Sequence, residues 1–69
     1  MRDNLIHLRK KKKLTQADTA KAIHMTLRQY SRLEAGTSDG SIKTWKALKE
    51  LFGARSIDFL LEQKEDIIP

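Results

Sequence analysis

Arg28 and Arg32 carry the side chains best suited to chemistry with an outside partner. A guanidinium presents a rigid planar fork of N–H donors. Two of them pair at once with a flat acceptor edge such as O6 and N7 of guanine, which a lysine ammonium cannot match. On a helix turning about 100° per residue, with Tyr30 set at 0°, Leu33 falls at about −60° and Glu34 at about +40°, while Arg28 and Arg32 fall near 160° and 200°. The two guanidinium groups therefore share the outer face of one helix, opposite its apolar side. Solvation of an exposed surface explains two such arginines equally well if the helix stands alone, and the elements around it decide between the readings.

Residues 14–36, LTQADTAKAIHMTLRQYSRLEAG, read as helix, tight turn, helix. Thr15 and Thr26 are hydroxyl residues placed to cap helix starts, and each is followed by helix formers with apolar residues at three- and four-residue spacing. The spacing predicts a helix over about Gln16 to Ala22, with Ala17, Ala20 and then Ile23 facing inward, and another over about Leu27 to Ala35. The start of the latter is specified twice, since Thr26 and Gln29 form a capping box and Met25 and Tyr30 occupy the positions of a hydrophobic staple. Gly36 suits the left-handed residue that ends it. The same wheel places an acid, Glu34, on the inward face, where a carboxylate needs a partner. Arg9 lies one turn after Leu5 on the inner stripe of the preceding helix, so Arg9 and Glu34 are expected to pair and to fix packing.

Three further helices complete an all-α reading. Asp3 is expected to cap the first, whose inner stripe is Leu5, Leu8 and Arg9 and which runs to about Lys12. After the loop TSDG, Ser41 caps a fourth, with Ile42, Trp45, Leu48, Leu51 and Phe52 repeating at helical intervals until Gly53. Ser56 opens a short fifth helix containing Ile57, Phe59, Leu60 and Leu61, and the tail EQKEDIIP is charged and then briefly apolar. Trp45 and Tyr30 sit on apolar stripes and belong to the core. Sixty-nine residues support one small core, which leaves no room for a separate catalytic or ligand-binding domain and puts function on the surface.

Charge is divided along the chain. Residues 1–49 hold twelve Lys or Arg against four acids, a net of +8, whereas residues 50–69 hold two against five, a net of −3. The basic part contains the helix-turn-helix segment and favours an anionic partner, of which nucleic acid is the commonest. Lys10 to Lys13 lie at the end of the first helix, where they suit the helix dipole and solvate that end as well as they suit phosphate. There is no cysteine, which removes disulfides and thiolate chemistry and agrees with a reducing cytoplasm. His7 and His24 have no companion ligands at metal-binding spacing, and no nucleophile, base and orienting group come together, so neither a metal, a cofactor nor an enzyme activity is expected. The short apolar runs and the absence of a signal-peptide core argue against a membrane protein.

Leu8 and Arg9, Leu14-Thr15-Gln16, Ala20, Ile23, Thr26, Ser31, Leu33-Glu34 and Gly36 together resemble the phage-repressor and Cro-like, or XRE-like, helix-turn-helix DNA-binding proteins, over about residues 4–61. The resemblance implies a compact five-helix repressor-like domain over residues 1–61, followed by a C-terminal tail over 62–69. It also implies that the helix over about 27–35 enters the major groove. Carried across residue by residue, it makes Gln16, Thr26, Gln29 and Ser31 backbone or positioning contacts to DNA, and Leu27, Arg28 and Arg32 the base-reading residues. It likewise implies the Arg9 and Glu34 ion pair. The sequence departs from the family's pattern at His24, where Gly is usual in the turn, and at Thr19, where an aliphatic residue is customary. Gly40 stands where Pro is common, and Lys13 replaces a frequent Gly.

The function these features imply is sequence-specific transcriptional regulation, as a repressor in the cytoplasm binding double-stranded DNA at a pseudo-palindromic operator. A homodimer is expected because one recognition helix reads little DNA and because Phe59, Leu61, Ile67 and Ile68 are spare apolar residues near the C-terminus. The alternatives are an antitoxin that binds both DNA and a toxin, and a protein-interaction module that keeps the fold without DNA binding.

Overall fold

The protein is described by a computed structural model over residues 1–63. Five helices follow one another: α1 Asp3–Lys11, α2 Gln16–Ala22, α3 Leu27–Ala35, α4 Ile42–Phe52 and α5 Ile57–Leu61, with no strand among the described residues. The all-α five-helix expectation is met. Thr15, Thr26, Ser41 and Ser56 each accept a hydrogen bond from the backbone N–H three residues ahead, which starts the last four helices where their hydroxyls predict. At α2 the bond is reciprocated by Asp18, giving a second capping box.

The start of α1 differs. Asp3 is the first helical residue and does not cap; the N-cap is Arg2, whose side chain makes no cap bond and turns into the protein, where Arg2 is buried. As an anion in the first turn, Asp3 still complements the helix dipole.

Four helices end alike. The N–H of Leu14, Met25, Thr37 and Ala54 bonds back to the carbonyl of Arg9, Ala20, Arg32 and Lys49, respectively. The residue before each donor is left-handed: Lys13 at φ 58°, His24 at 59°, Gly36 at 85° and Gly53 at 62°. Lys13 and His24 therefore adopt the conformation for which glycine is usual. The departures from the family pattern at these two positions change the side chain and leave the turn intact.

The core is Leu5, Ala20, Tyr30, Leu33, Trp45, Leu48, Phe52 and Leu60, with Leu8, Leu14, Ile23, Met25, Leu51, Ala54, Ile57 and Leu61 packed around it. α2 and α1 both pack on α3, while α5 packs on α1 and α4. Two stripe expectations fail. Ala17 is exposed, and beside the expected Ala20 it is Thr19 that α2 buries fully; its Oγ1 donates to the Thr15 carbonyl at 3.0 Å and so satisfies its polar group within the helix. Ile42 is 73% exposed, because it opens α4 ahead of Trp45, the first residue of that helix to reach the core. Ile67 and Ile68 lie outside the described residues.

Candidate nucleic-acid interface

α3 is held at both ends and along its inner side, and this leaves one face free. At its start, Thr26 Oγ1 accepts from Gln29 N at 3.1 Å and Gln29 Oε1 accepts from Thr26 N at 3.0 Å. Met25, just outside the cap, packs against the core that contains Tyr30, as the staple predicts. On the inner side, Tyr30, Leu33 and Glu34 are buried. The outer side presents Leu27, Arg28, Gln29 and Arg32, all exposed, and half-buried Ser31, whose hydroxyl donates to the Arg28 carbonyl at 3.0 Å. Neither arginine takes part in an ion pair among the described residues. Leu27 is 51% exposed on the first turn, a large apolar side chain with no place in the core.

Beneath this face lies the predicted ion pair. Arg9 Nε donates to Glu34 Oε2 at 2.6 Å and Nη2 to Oε1 at 3.3 Å, while Nη1 donates to the Leu14 carbonyl at 2.7 Å. Glu34 is 2% exposed, so the second donor on its carboxylate matters: Gln16 Nε2 reaches Oε1 at 2.9 Å. Gln16, the first residue of α2, is thus tied to α3 through the same carboxylate that ties α3 to α1. A primary amide nitrogen has two hydrogens, so one N–H of Gln16 is used here and the other remains. The Tyr30 hydroxyl is buried beside Glu34 and makes no hydrogen bond of good geometry among the described residues. Its pKa is raised well above the ordinary phenol value, first by burial and then by the neighbouring Glu34 carboxylate.

The sequence-predicted site residues fall into two groups. Leu27, Arg28 and Arg32 stand exposed on the outer face of α3, with no side-chain bond among the described residues. Thr26 and Gln29 are bonded to each other in the cap, Ser31 to its own helix, and Gln16 to Glu34. One organising residue, Arg2, carries no signal in the sequence. Arg2 donates from its backbone N–H to the Glu34 carbonyl at 2.8 Å and from Nη1 to the Leu33 and Ser38 carbonyls at 2.6 and 2.7 Å.

Among the described residues, no helix is long and apolar enough to cross a membrane, and no group of three His, Cys, Asp or Glu is gathered to hold a metal. Two buried-and-capped helices joined by a left-handed turn, the second with a free basic face, define a helix-turn-helix. A helix-turn-helix family model matches residues 5–60, and the chain belongs to that family, the XRE/Cro-like helix-turn-helix proteins, which are DNA-binding regulators. Comparison with curated proteins and with solved structures gives no match.

Proposed function

We propose that this chain is a sequence-specific repressor that inserts α3 into the major groove of a pseudo-palindromic operator, bound as a homodimer. The observation that carries the reading is the placement of two arginines, Arg28 and Arg32, without an ion pair among the described residues, on the exposed face of a helix whose other face is buried and bonded to α1 and α2. A rigid helix with free guanidinium forks is what base-edge recognition requires, and Leu27 beside them suits a thymine methyl. The excess of basic residues over positions 1–49 supplies phosphate attraction. The second N–H of Gln16 serves a backbone phosphate, with the first held by Glu34. Occupation of the operator blocks polymerase. Two copies place their α3 helices in successive major grooves, with half-sites about one turn, roughly 10 bp, apart.

Enrichment of random duplexes by the purified chain tests this. The expected result is a two-fold symmetric sequence with that half-site spacing, bound by a dimer in sedimentation. Recovery of unenriched library, or a strict monomer on the enriched duplex, overturns it.

A further inference from the structure

Arg2 occupies an unusual place for an arginine. It is 3% exposed, and its Nε is buried without a hydrogen-bond partner among the described residues. Burial lowers its pKa and the charge of Asp39 opposes that shift. A buried cation with an orphaned donor is unfavourable unless hydrogen bonds and neighbouring charge or π density compensate it. The contacts are specific. Three carbonyls accept from this one residue: Leu33 and Glu34 in the last turn of α3, and Ser38 in the loop that follows. The guanidinium lies 5.0 Å from the centre of the Trp45 ring, and Trp45 Nε1 donates to the Asp39 carbonyl of the same loop at 2.7 Å. The C-terminal end of α3 is therefore clamped between the start of α1 and the first turns of α4.

Carbonyls at a helix end have no partner within the helix, and a cation there also opposes the negative end of the dipole. Stabilisation alone would be served by any donor. A guanidinium whose Nη1 joins the Leu33 and Ser38 carbonyls, while the backbone N–H of the same residue holds Glu34, fixes the angle of the helix end as well. The cap and staple fix the other end of α3, at Thr26. Two fixed ends set the tilt of the helix, and the tilt decides where Arg28 and Arg32 project.

We infer that Arg2 is a positioning residue for base readout: without touching DNA, it holds the C-terminal end of α3 at the angle from which Arg28 and Arg32 meet base edges. This rests on the proposed reading of α3 as the recognition helix. It separates Arg2 from a phosphate contact, which would change affinity for every sequence and the salt dependence together.

The test uses the whole chain and two duplexes of equal length, one enriched by the wild-type protein from a random library and one with the same bases scrambled. Arg2→Met and Arg2→Gln are titrated against both by fluorescence anisotropy, at a temperature where circular dichroism shows each variant folded. The expected result for Arg2→Met is a loss of roughly tenfold in the ratio of affinities for the enriched and scrambled duplexes, about what one bidentate base contact contributes. The slope of affinity against salt should be unchanged, and Arg2→Lys should recover part of the ratio by restoring a charged donor. Should Arg2→Met fail to fold, Arg2→Gln, whose amide is uncharged and sits two bonds short of the position of Nη1, carries the same expectation. A ratio within about twofold of wild type in a folded variant, or a salt slope reduced by about one phosphate contact, overturns the role of Arg2 while leaving α3 as the recognition helix. Failure of the wild-type chain to enrich any sequence overturns the reading of α3 itself, and the role of Arg2 with it.

Discussion

Arg9 grips the Glu34 carboxylate with two nitrogens, at 2.6 and 3.3 Å, and joins α1 to α3 across a separation of 25 residues. Both partners are largely shielded from solvent, at 11% and 2% side-chain exposure, and Gln16 completes the carboxylate's bonding. The pair fixes the two helices relative to each other more than it adds net stability, because desolvation offsets most of the attraction. Breaking it leaves a buried charge alone.

Glu34→Leu and Arg9→Met should each lower unfolding free energy by about 3 to 5 kcal/mol, and the double variant should recover much of that loss. Urea denaturation of the three chains checks this. Single-variant losses that simply add in the double variant would mean the two side chains stabilise the fold independently.

His24 sits at φ 59° with its side chain exposed. His24→Gly removes the crowding between Cβ and the following carbonyl, at the expense of some unfolded-state entropy, and should stabilise the fold by up to about 1 kcal/mol. DNA affinity should stay close to that of the wild type, since the side chain is in the turn and not beside Arg28 and Arg32. Lower stability, or a tenfold weaker complex, would show instead that the imidazole packs or binds.

Gly40 and Gly53 are both left-handed, at φ 69° and 62°, but their surroundings differ. A Cβ on Gly40 would lie 2.8 Å from Trp45 Nε1 and 2.9 Å from Leu33 Cδ2, whereas one on Gly53 would meet nothing within 4 Å. Gly53→Ala should cost only the backbone term, about 1 kcal/mol, and Gly40→Ala that term plus about 1 to 3 kcal/mol of overpacking. Thermal melts of the two variants, compared with each other, report the difference. Equal losses would mean that Trp45 gives way freely.

Tyr30 adds an alkaline dependence. Its hydroxyl titrates above its ordinary pKa of 10.0 in the folded chain, first because it is buried and then because Glu34 is near. Raised in the folded state, it contributes stability that is fully present below the unfolded pKa and is lost as pH rises from about 10 upward, where the unfolded chain releases the proton and the folded one retains it. Tyr30→Phe should flatten that part of the stability curve. Denaturation midpoints measured from about pH 8 to 11 would contradict this if wild type and variant fell in parallel.

Much of this architecture was legible because it is locally encoded. Four hydroxyl residues start helices where they stand, and Gly36 and Gly53 end them. Helical periodicity placed Tyr30, Leu33 and Glu34 inside, and with Arg9 on the stripe of α1 it gave the ion pair. Periodicity failed where a helix end projects beyond the core, as at Ile42, and where a polar residue can bury itself by bonding its own backbone, as at Thr19. Arg2 was illegible for a different reason. Its partners are carbonyls of residues 33, 34 and 38, and a main-chain carbonyl has no residue type by which to announce itself. At the candidate interface, the wheel found the free face of α3. The engagement of Gln16 with Glu34 appears only once α2 and α3 are packed.

The most direct test of α3 as the reader of DNA sequence is selection from a randomised duplex library by wild type, Arg28→Ala, Arg32→Ala and Gln16→Ala. Each arginine variant should lose roughly 1 to 3 kcal/mol on the wild-type site and relax base preference at particular positions, whereas Gln16→Ala should keep the preferred sequence and weaken binding more evenly. Unchanged sequence preference in both arginine variants would contradict the assignment of Arg28 and Arg32 as the base-reading residues.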